Sequence, residues 1–219
     1  MKSKIIIALD VDDIKKANKL IKLLWPKVKF FKIGLELINT GKAQELVKYI
    51  NKLGGKVFYD AKLNDIPNTV AKASKVISKL GVWGFTVHAS AGKEAIRAAV
   101  KNKGRSRVVG VTILTSIKDR DFKDKVIKLA KILKEEGVDD IVCSAQEVRI
   151  LKRLGIKIIV PGIRPNWADG GDQKKTATPK EAIDAGADYL VIGRPITKPP
   201  KEIGSSQKAL ARIIKEIES

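Results

Sequence analysis

One cysteine and one histidine stand among 219 residues, and that scarcity removes whole classes of chemistry. A single thiol excludes an internal disulfide framework. Cys143 follows the apolar pair Ile141-Val142, so the sequence predicts a buried, inert thiol. One Cys and one His cannot supply the ligands of an ordinary zinc site. Only an oxygen-ligand metal such as Mg²⁺ is left to weigh. Long apolar runs are missing as well. No stretch reaches the ~18 uninterrupted apolar residues of a membrane span. Residues 1–4 lead into an apolar run at 5–9, too short for the apolar region of a signal peptide followed by a cleavage site. The expectation is a soluble, cytoplasmic protein with no membrane partner.

Acidic residues are also in short supply: 24 against 44 basic ones, for a net charge of +20. Such an excess raises nucleic-acid binding as a function. Only nine of the basic residues are Arg, however, and the lysines are spread over nearly every predicted helix. Nucleic-acid readers gather their charge on one face. Lys, Ile and Asn share AT-rich codons, so genome composition is sufficient to account for the charge, and no specific nucleic-acid partner is expected.

What the chain does have is alternation. Apolar, strand-like runs lie at 4–9, 28–34, 56–61, 84–88, 107–113, 140–143, 157–161 and 188–192. Amphipathic, helix-like segments lie between them at 13–24, 42–53, 67–80, 92–102, 121–136, 145–153, 179–185 and 201–218. In the third of these, Val70, Ala73, Ser74, Ile77 and Leu80 recur at helical spacing. Strand and helix alternating in this way predict an α/β protein with a parallel sheet. Eight such units in 219 residues predict a single-domain (β/α)₈ TIM barrel over 1–219, near the lower size limit of that fold. An open doubly wound sheet is the runner-up, without the Gly-x-Gly-x-x-Gly turn of its dinucleotide-binding version. No linker divides the chain. The longest irregular piece, about 164–178, has the length of a lid, and Gly170-Gly171 would hinge it.

The barrel makes a demand on the sequence: reactive residues should sit where strands end. Residues 56–69 meet it most clearly. The strand Val57-Phe58-Tyr59 runs straight into Asp60, Lys62 and Asp65. Side chains alternate along a strand, so Asp60 and Lys62 point to the same side. Pro67 then opens a helix, as proline suits a first helical turn. A lysine bracketed by two carboxylates at a strand end suits proton transfer and electrostatic stabilisation better than packing. Elsewhere the first strand ends in Asp10, the second carries Lys32 between Phe31 and Ile33, and the fourth ends in His88. The fifth runs into Thr115 and Ser116, the seventh into Pro161-Gly162-Ile163-Arg164 and the eighth into Gly193-Arg194. The N-terminal ends of the strands show no comparable set. Lys32, embedded in an apolar strand, must find partners or reach solvent, and the nearby carboxylates favour a partnered lysine at the barrel mouth. Loops after strands seven and eight commonly hold phosphate in such barrels. Gly193 would let it approach the backbone, Arg194 would offer a charged fork, and Gln173 would close from above. His88 reads as a hydrogen-bonded structural histidine.

Taken in order, these segments resemble the orotidine 5′-phosphate decarboxylase family across essentially the whole chain. Ile-Ala-Leu-Asp at 7–10, Phe-Lys-Ile-Gly at 31–34 and Asp-Ala-Lys-Leu-Asn-Asp-Ile-Pro-Asn-Thr at 60–69 look like its motifs. So do Val-His-Ala-Ser at 87–90, Val-Thr-Ile-Leu-Thr-Ser at 111–116, Pro-Gly-Ile-Arg-Pro at 161–165, Gly-Asp-Gln at 171–173 and Ile-Gly-Arg-Pro at 192–195. The Asp-x-Lys-x-x-Asp core is shared with a wider suprafamily, and its Ile-Pro-Asn-Thr continuation with Lys32 narrows it. The resemblance implies decarboxylation of orotidine 5′-monophosphate to UMP without metal or cofactor. Lys62 would protonate C6 of the pyrimidine, within an alternating network of Lys32, Asp60, Lys62 and Asp65. Asp10 would hold ribose hydroxyls and Thr115 the pyrimidine side. Gln173, Gly193 and Arg194 would hold the phosphate, with Arg164 in support. Asp65 and Thr69 would reach the site of a neighbouring subunit, which implies a homodimer. Two readings compete. A Mg²⁺-dependent lyase or aldolase of the same suprafamily would use Asp60 and Asp65 as metal-linked acids, against which Lys32 argues. A basic, non-catalytic nucleic-acid-binding barrel would leave the embedded charge network unexplained.

Overall fold

The computed structural model describes residues 4–113, 122–168 and 176–219. Thr115, Ser116, Gln173 and the Gly170-Gly171 pair lie outside the described residues. Eight strands pair in parallel and in chain order: β1 (Ile5–Ala8), β2 (Phe30–Ile33), β3 (Lys56–Leu63), β4 (Gly84–His88), β5 (Arg107–Val111), β6 (Asp140–Val142), β7 (Lys157–Val160) and β8 (Tyr189–Ile192). β8 returns to β1, with Ile5 opposite Leu190 and Ile7 opposite Ile192, and the sheet closes into the expected (β/α)₈ barrel.

Around it run α1 (Ile14–Leu24), α2 (Leu35–Ile38), α3 (Ala43–Lys52), α4 (Pro67–Lys79), α5 (Lys93–Lys101), α6 (Phe122–Glu135), α7 (Val148–Lys152), α8 (Pro179–Asp184), α9 (Arg194–Thr197) and α10 (Ser206–Glu218). α3 shows why they dock. It buries Ala43, Leu46, Val47 and Ile50, a stripe at helical spacing, and leaves its lysines outside. Pro67 stands in the first turn of α4 as its fixed φ predicts.

A strand covered on both faces must be apolar on both. β1, Ile-Ile-Ile-Ala, is buried at every position. Ile5 and Ile7 join the core between sheet and helices, whereas Ile6 and Ala8 join Phe30, Phe58, Val109, Ile159 and Val191 inside the barrel. This period of two decides which side chains reach the mouth.

The sequence missed two α-helices, α2 and α9, each only four residues long, and a 3₁₀ turn at Ala89–Ala91, all too short to show a period. The segment read as one helix over 145–153 splits into a 3₁₀ turn at Ala145–Glu147 and then α7. The last helix begins at Ser206 and not at 201, because Ser205 caps it by accepting the Lys208 N–H at 3.2 Å, just after Gly204 at φ 83°. The N-terminal end of the barrel carries charged groups of its own, paired with one another. Arg107 grips the fully buried Asp140 through two hydrogen bonds of 2.6 and 3.0 Å and lies 5.5 Å from the Trp83 ring. Burial pushes the Asp140 carboxyl up, against the pull of Arg107.

Two loops entering this end repeat one device. In Gly137-Val138-Asp139, the Asp139 N–H donates to the Val108 carbonyl at 2.9 Å while its carboxylate accepts the Val108 N–H at 2.8 Å and Lys103 Nζ at 2.6 Å. In Gly186-Ala187-Asp188 the same bonds join Asp188 to Ile158 at 2.9 and 2.8 Å and to Lys152 Nζ at 2.6 Å. One aspartate thus satisfies both backbone groups of a residue near the start of the preceding strand. Asp188→Ala should strand the buried Ile158 N–H and cost roughly 1–3 kcal/mol. Chemical denaturation should show that loss while activity per folded molecule stays at the wild-type level; an unchanged midpoint would remove the device's structural role.

Candidate active site

At the C-terminal mouth, the inward positions of the first four strands change from apolar to polar. Ala8 gives way to Asp10, Phe30 to Lys32, Phe58 to Asp60, and Gly84 to Thr86 and then His88. Lys32 Nζ lies 2.7 Å from Asp10 Oδ1 and 3.7 Å from Asp60 Oδ2. Lys62 Nζ lies 2.7 Å from the same Asp60 oxygen. Three neighbouring strands therefore present Asp10, Lys32, Asp60 and Lys62 as a row of alternating sign. Opposite charges ~4 Å apart at an effective dielectric of ~20 attract by roughly 4 kcal/mol, against which each group's desolvation must be set.

Asp60 is the best-buried member. Burial acts to raise its carboxyl, but the Lys32 and Lys62 ammoniums, with hydrogen bonds from Lys62 and Thr86, outweigh burial and hold it below the usual carboxylate range. Gly34 makes room for this arrangement. A Cβ there would stand 2.9 Å from Lys32 Nζ and 3.3 Å from Asp10 Oδ1. Its φ of −97° is open to any residue, so what a side chain there would disturb is the space held by the Lys32 ammonium and the Asp10 carboxylate.

Lys62 stands on an irregularity. Tyr59 pairs with Phe85 and Leu63 with Val87, so β3 takes four residues where β4 takes two. Such a bulge re-aims side chains. It extends β3 to Leu63, beyond the end at 61 that the apolar run suggested. Lys62 takes φ 49°, a left-handed conformation that costs an L-residue roughly 1–2 kcal/mol. Its N–H donates to Thr86 Oγ1 at 2.7 Å, and Thr86 Oγ1 donates to Asp60 Oδ1 at 3.0 Å. Sequence reasoning missed Thr86. The signal was the alternation of β4, which puts residue 86 on the same side as His88 and one step deeper.

The other expected site residues spread around this row. Gly193 adjoins it: a Cβ there would meet Asp10 Oδ2 at 3.6 Å. Arg194 follows, exposed, at the start of α9. Arg164 Nη1 donates to the Ile163 carbonyl at 2.9 Å. Its N–H donates to Ala177 at 2.9 Å, pinning together the two ends of the segment expected to act as a lid. Asp65 and Thr69 are exposed. The Asp65 carboxylate accepts the Ile66 N–H at 2.7 Å and makes no ion pair with Lys62 among the described residues. Within one chain the row ends at Lys62. His88 is half-buried, and its imidazole makes no hydrogen bond among the described residues, unlike the structural histidine expected. Burial first, then the Lys62 charge, push it below its ordinary value and keep it neutral. Cys143 is buried as expected, with its thiol pushed up by burial.

The Asp60 environment has a pH consequence. A carboxyl depressed in the folded state contributes stability above its unfolded pKa and loses it as pH falls toward the folded value. The difference in unfolding free energy between wild type and Asp60→Asn should therefore be constant near neutrality and shrink below about pH 4. Urea titrations across that range measure it; a difference that grows on acidification would contradict the assigned shift.

Comparison with known proteins agrees with this geometry. The sequence profile described as the Orotidine 5′-phosphate decarboxylase / HUMPS family matches residues 3–209. A protein of Pseudoalteromonas translucida named orotidine 5′-phosphate decarboxylase is 44% identical, over 98% of this chain and 97% of its own length. One of Syntrophomonas wolfei with the same name is 40% identical, over 96% and 97%. The crystal structure of orotidine 5′-phosphate decarboxylase from Lactobacillus acidophilus superposes with a TM-score of 0.84 at 32% identity, covering 99% of this chain and all of that one. A closed eight-stranded barrel with a lysine–carboxylate row at its mouth, matched along nearly its whole length, places this chain in the orotidine 5′-phosphate decarboxylase / HUMPS family.

Proposed function

We propose that the protein decarboxylates orotidine 5′-monophosphate to UMP in pyrimidine biosynthesis, in the cytoplasm. The observation that carries the reading is the Lys62 ammonium, 2.7 Å from Asp60 and presented at the barrel mouth by a bulged strand. The C6–carboxylate bond breaks, CO₂ leaves, and its electron pair stays on C6, where the pyrimidine ring delocalises it poorly. Lys62 stabilises that charge as it forms and then gives C6 a proton. The resulting neutral amine regains a proton from solvent. Asp60 and Lys32 hold the ammonium in place, a preorganised arrangement that gains strength as water is excluded. Asp10, beside Gly193, takes the ribose hydroxyls. Gly193 and Arg194, with Gln173, take the phosphate, and Arg164 supports them. Thr115 takes the pyrimidine side. The segment at about 164–178 serves as the lid, so that binding energy from the remote phosphate helps organise the reacting centre. A Mg²⁺-dependent lyase would draw on Asp60 and Asp65, and here Asp60 is already engaged by Lys32 and Lys62.

The active form is a homodimer with shared sites. Asp65 and Thr69 stand exposed beside the mouth, with Ile66 between them 66% exposed. Two-fold pairing would cover Ile66 and bring Asp65 to the partner's Lys62, extending each charge row by one carboxylate.

The direct test mixes purified protein with orotidine 5′-monophosphate and EDTA and follows substrate absorbance; no turnover would refute the assignment. Lys62→Ala should lower kcat by roughly a hundredfold or more, as loss of a proton donor does, with an unchanged circular dichroism spectrum. Retention of a few per cent or more would exclude Lys62 as the essential donor. Lys62→Ala and Asp65→Ala, each nearly inactive alone, should recover about a quarter of full activity on statistical mixing, because each mixed dimer has one intact site. Verified heterodimers that stay inactive would show that Asp65 acts within its own chain.

A further inference from the structure

Thr86 is fully buried on β4 and touches the two residues on which the proposed reaction turns. The direction of its hydrogen bonds is fixed by chemistry. A backbone N–H can only donate, so at 2.7 Å the Thr86 hydroxyl accepts from Lys62. Its single proton is then free for Asp60 Oδ1 at 3.0 Å. That contact occupies one carboxylate oxygen and leaves Oδ2 to Lys62 Nζ at 2.7 Å and Lys32 Nζ at 3.7 Å. The contacts close a ring: Thr86 hydroxyl to Lys62 backbone, along the Lys62 side chain to Asp60, and through the carboxylate back to Thr86. One hydroxyl thereby ties Lys62 at both ends.

The bulge explains why such a tie is needed. In a regular ladder residue 62, like Lys56 whose N–H donates to Lys29, would turn its N–H toward β2 and away from β4. The register shift between Tyr59 and Leu63 interrupts the ladder there, and Lys62 turns to φ 49°. The N–H thus comes to β4, where a side-chain hydroxyl and not a ladder carbonyl accepts it. Valine would fill the same volume and do neither job.

We propose that Thr86 is a positioning residue of the decarboxylation site: its hydroxyl holds the bulged backbone of Lys62 and orients the Asp60 carboxylate, and so fixes where the Lys62 ammonium stands. The inference rests on the proposed reaction for its kinetic arm only.

Thr86→Val removes both bonds at constant shape, and Thr86→Ser keeps the hydroxyl while losing a methyl. Purified Thr86→Val should turn over orotidine 5′-monophosphate with kcat reduced about tenfold or more and KM within about threefold of wild type, as displacement of a reacting group predicts. Thr86→Ser should keep kcat within about threefold of wild type. The Asp60 carboxyl, followed by ¹³C NMR, should titrate higher in Thr86→Val than in wild type or Thr86→Ser, because a donor to its ionised form has gone. Its charged and titratable surroundings, Lys32 and Asp10 from the first two strands, Lys62 on its own, and His88 on β4, are the same in all three proteins. If Thr86→Val misfolds, Thr86→Ala makes the same deletion without placing a methyl against Asp60. A folded hydroxyl-free variant with wild-type kcat overturns the proposal, and so does an equal loss in the serine variant. If wild type itself leaves the substrate untouched, the functional reading fails, and the Asp60 titration still decides whether Thr86 orients that carboxylate.

Discussion

Asp60 carries its charge into a place where its side chain is only 11% exposed, and the geometry of the mouth follows from making that tolerable. An isolated carboxylate there would protonate or draw the site open. Two ammoniums and one hydroxyl answer it, each from a different position around the barrel: Lys32 on β2, Lys62 on β3 and Thr86 on β4. Asp10 then offsets the second ammonium. Two positive and two negative groups result, a neutral row in which each member's place is set by its neighbours. The same mutual dependence that offsets burial also preorganises the groups for catalysis.

The two ends of the barrel use buried charge differently. At the N-terminal end Arg107 meets Asp140 through two hydrogen bonds beside Trp83, and the pair is complete in itself. It leaves no ammonium turned toward the mouth and no backbone outside the ordinary regions. At the C-terminal end the lysine at the row's outer limit has a partner on one side only within its chain, on a bulged strand with left-handed backbone. Strain and incomplete pairing collect where substrate is to arrive, in keeping with the general tendency of functional sites.

Much of this was legible in the residues. The alternation of strand-like and helix-like segments gave the barrel, because covered parallel strands have no alternative to continuous apolar runs such as Ile5-Ile6-Ile7. Asp60, Lys62 and Lys32 could be placed at the mouth because the period of two is obligatory in a strand. The limits have equally physical causes. α2 and α9 are single turns, which no periodicity reveals. The bulge leaves no mark in composition, since Asp60-Ala61-Lys62 reads as ordinary strand. The bond between Asp10 and Lys32 bridges 22 residues of sequence and depends on the pairing of β1 with β2, which no local pattern reveals. Thr86 was passed over because a threonine in a strand is ordinary. Only its two partners make it otherwise.

Gly34 gives a different view of the motif Phe-Lys-Ile-Gly. Its backbone angles are ordinary, yet a methyl group there would intrude on Lys32 Nζ at 2.9 Å. The residue is thus the negative imprint of an ammonium group two positions earlier. A shorter side chain at 32 would lift that constraint on position 34, while a side chain at 34 beside Lys32 would have to push the tip of the lysine aside. The two positions are coupled through space: a methyl group at 34 would be felt along the row as a displaced ammonium.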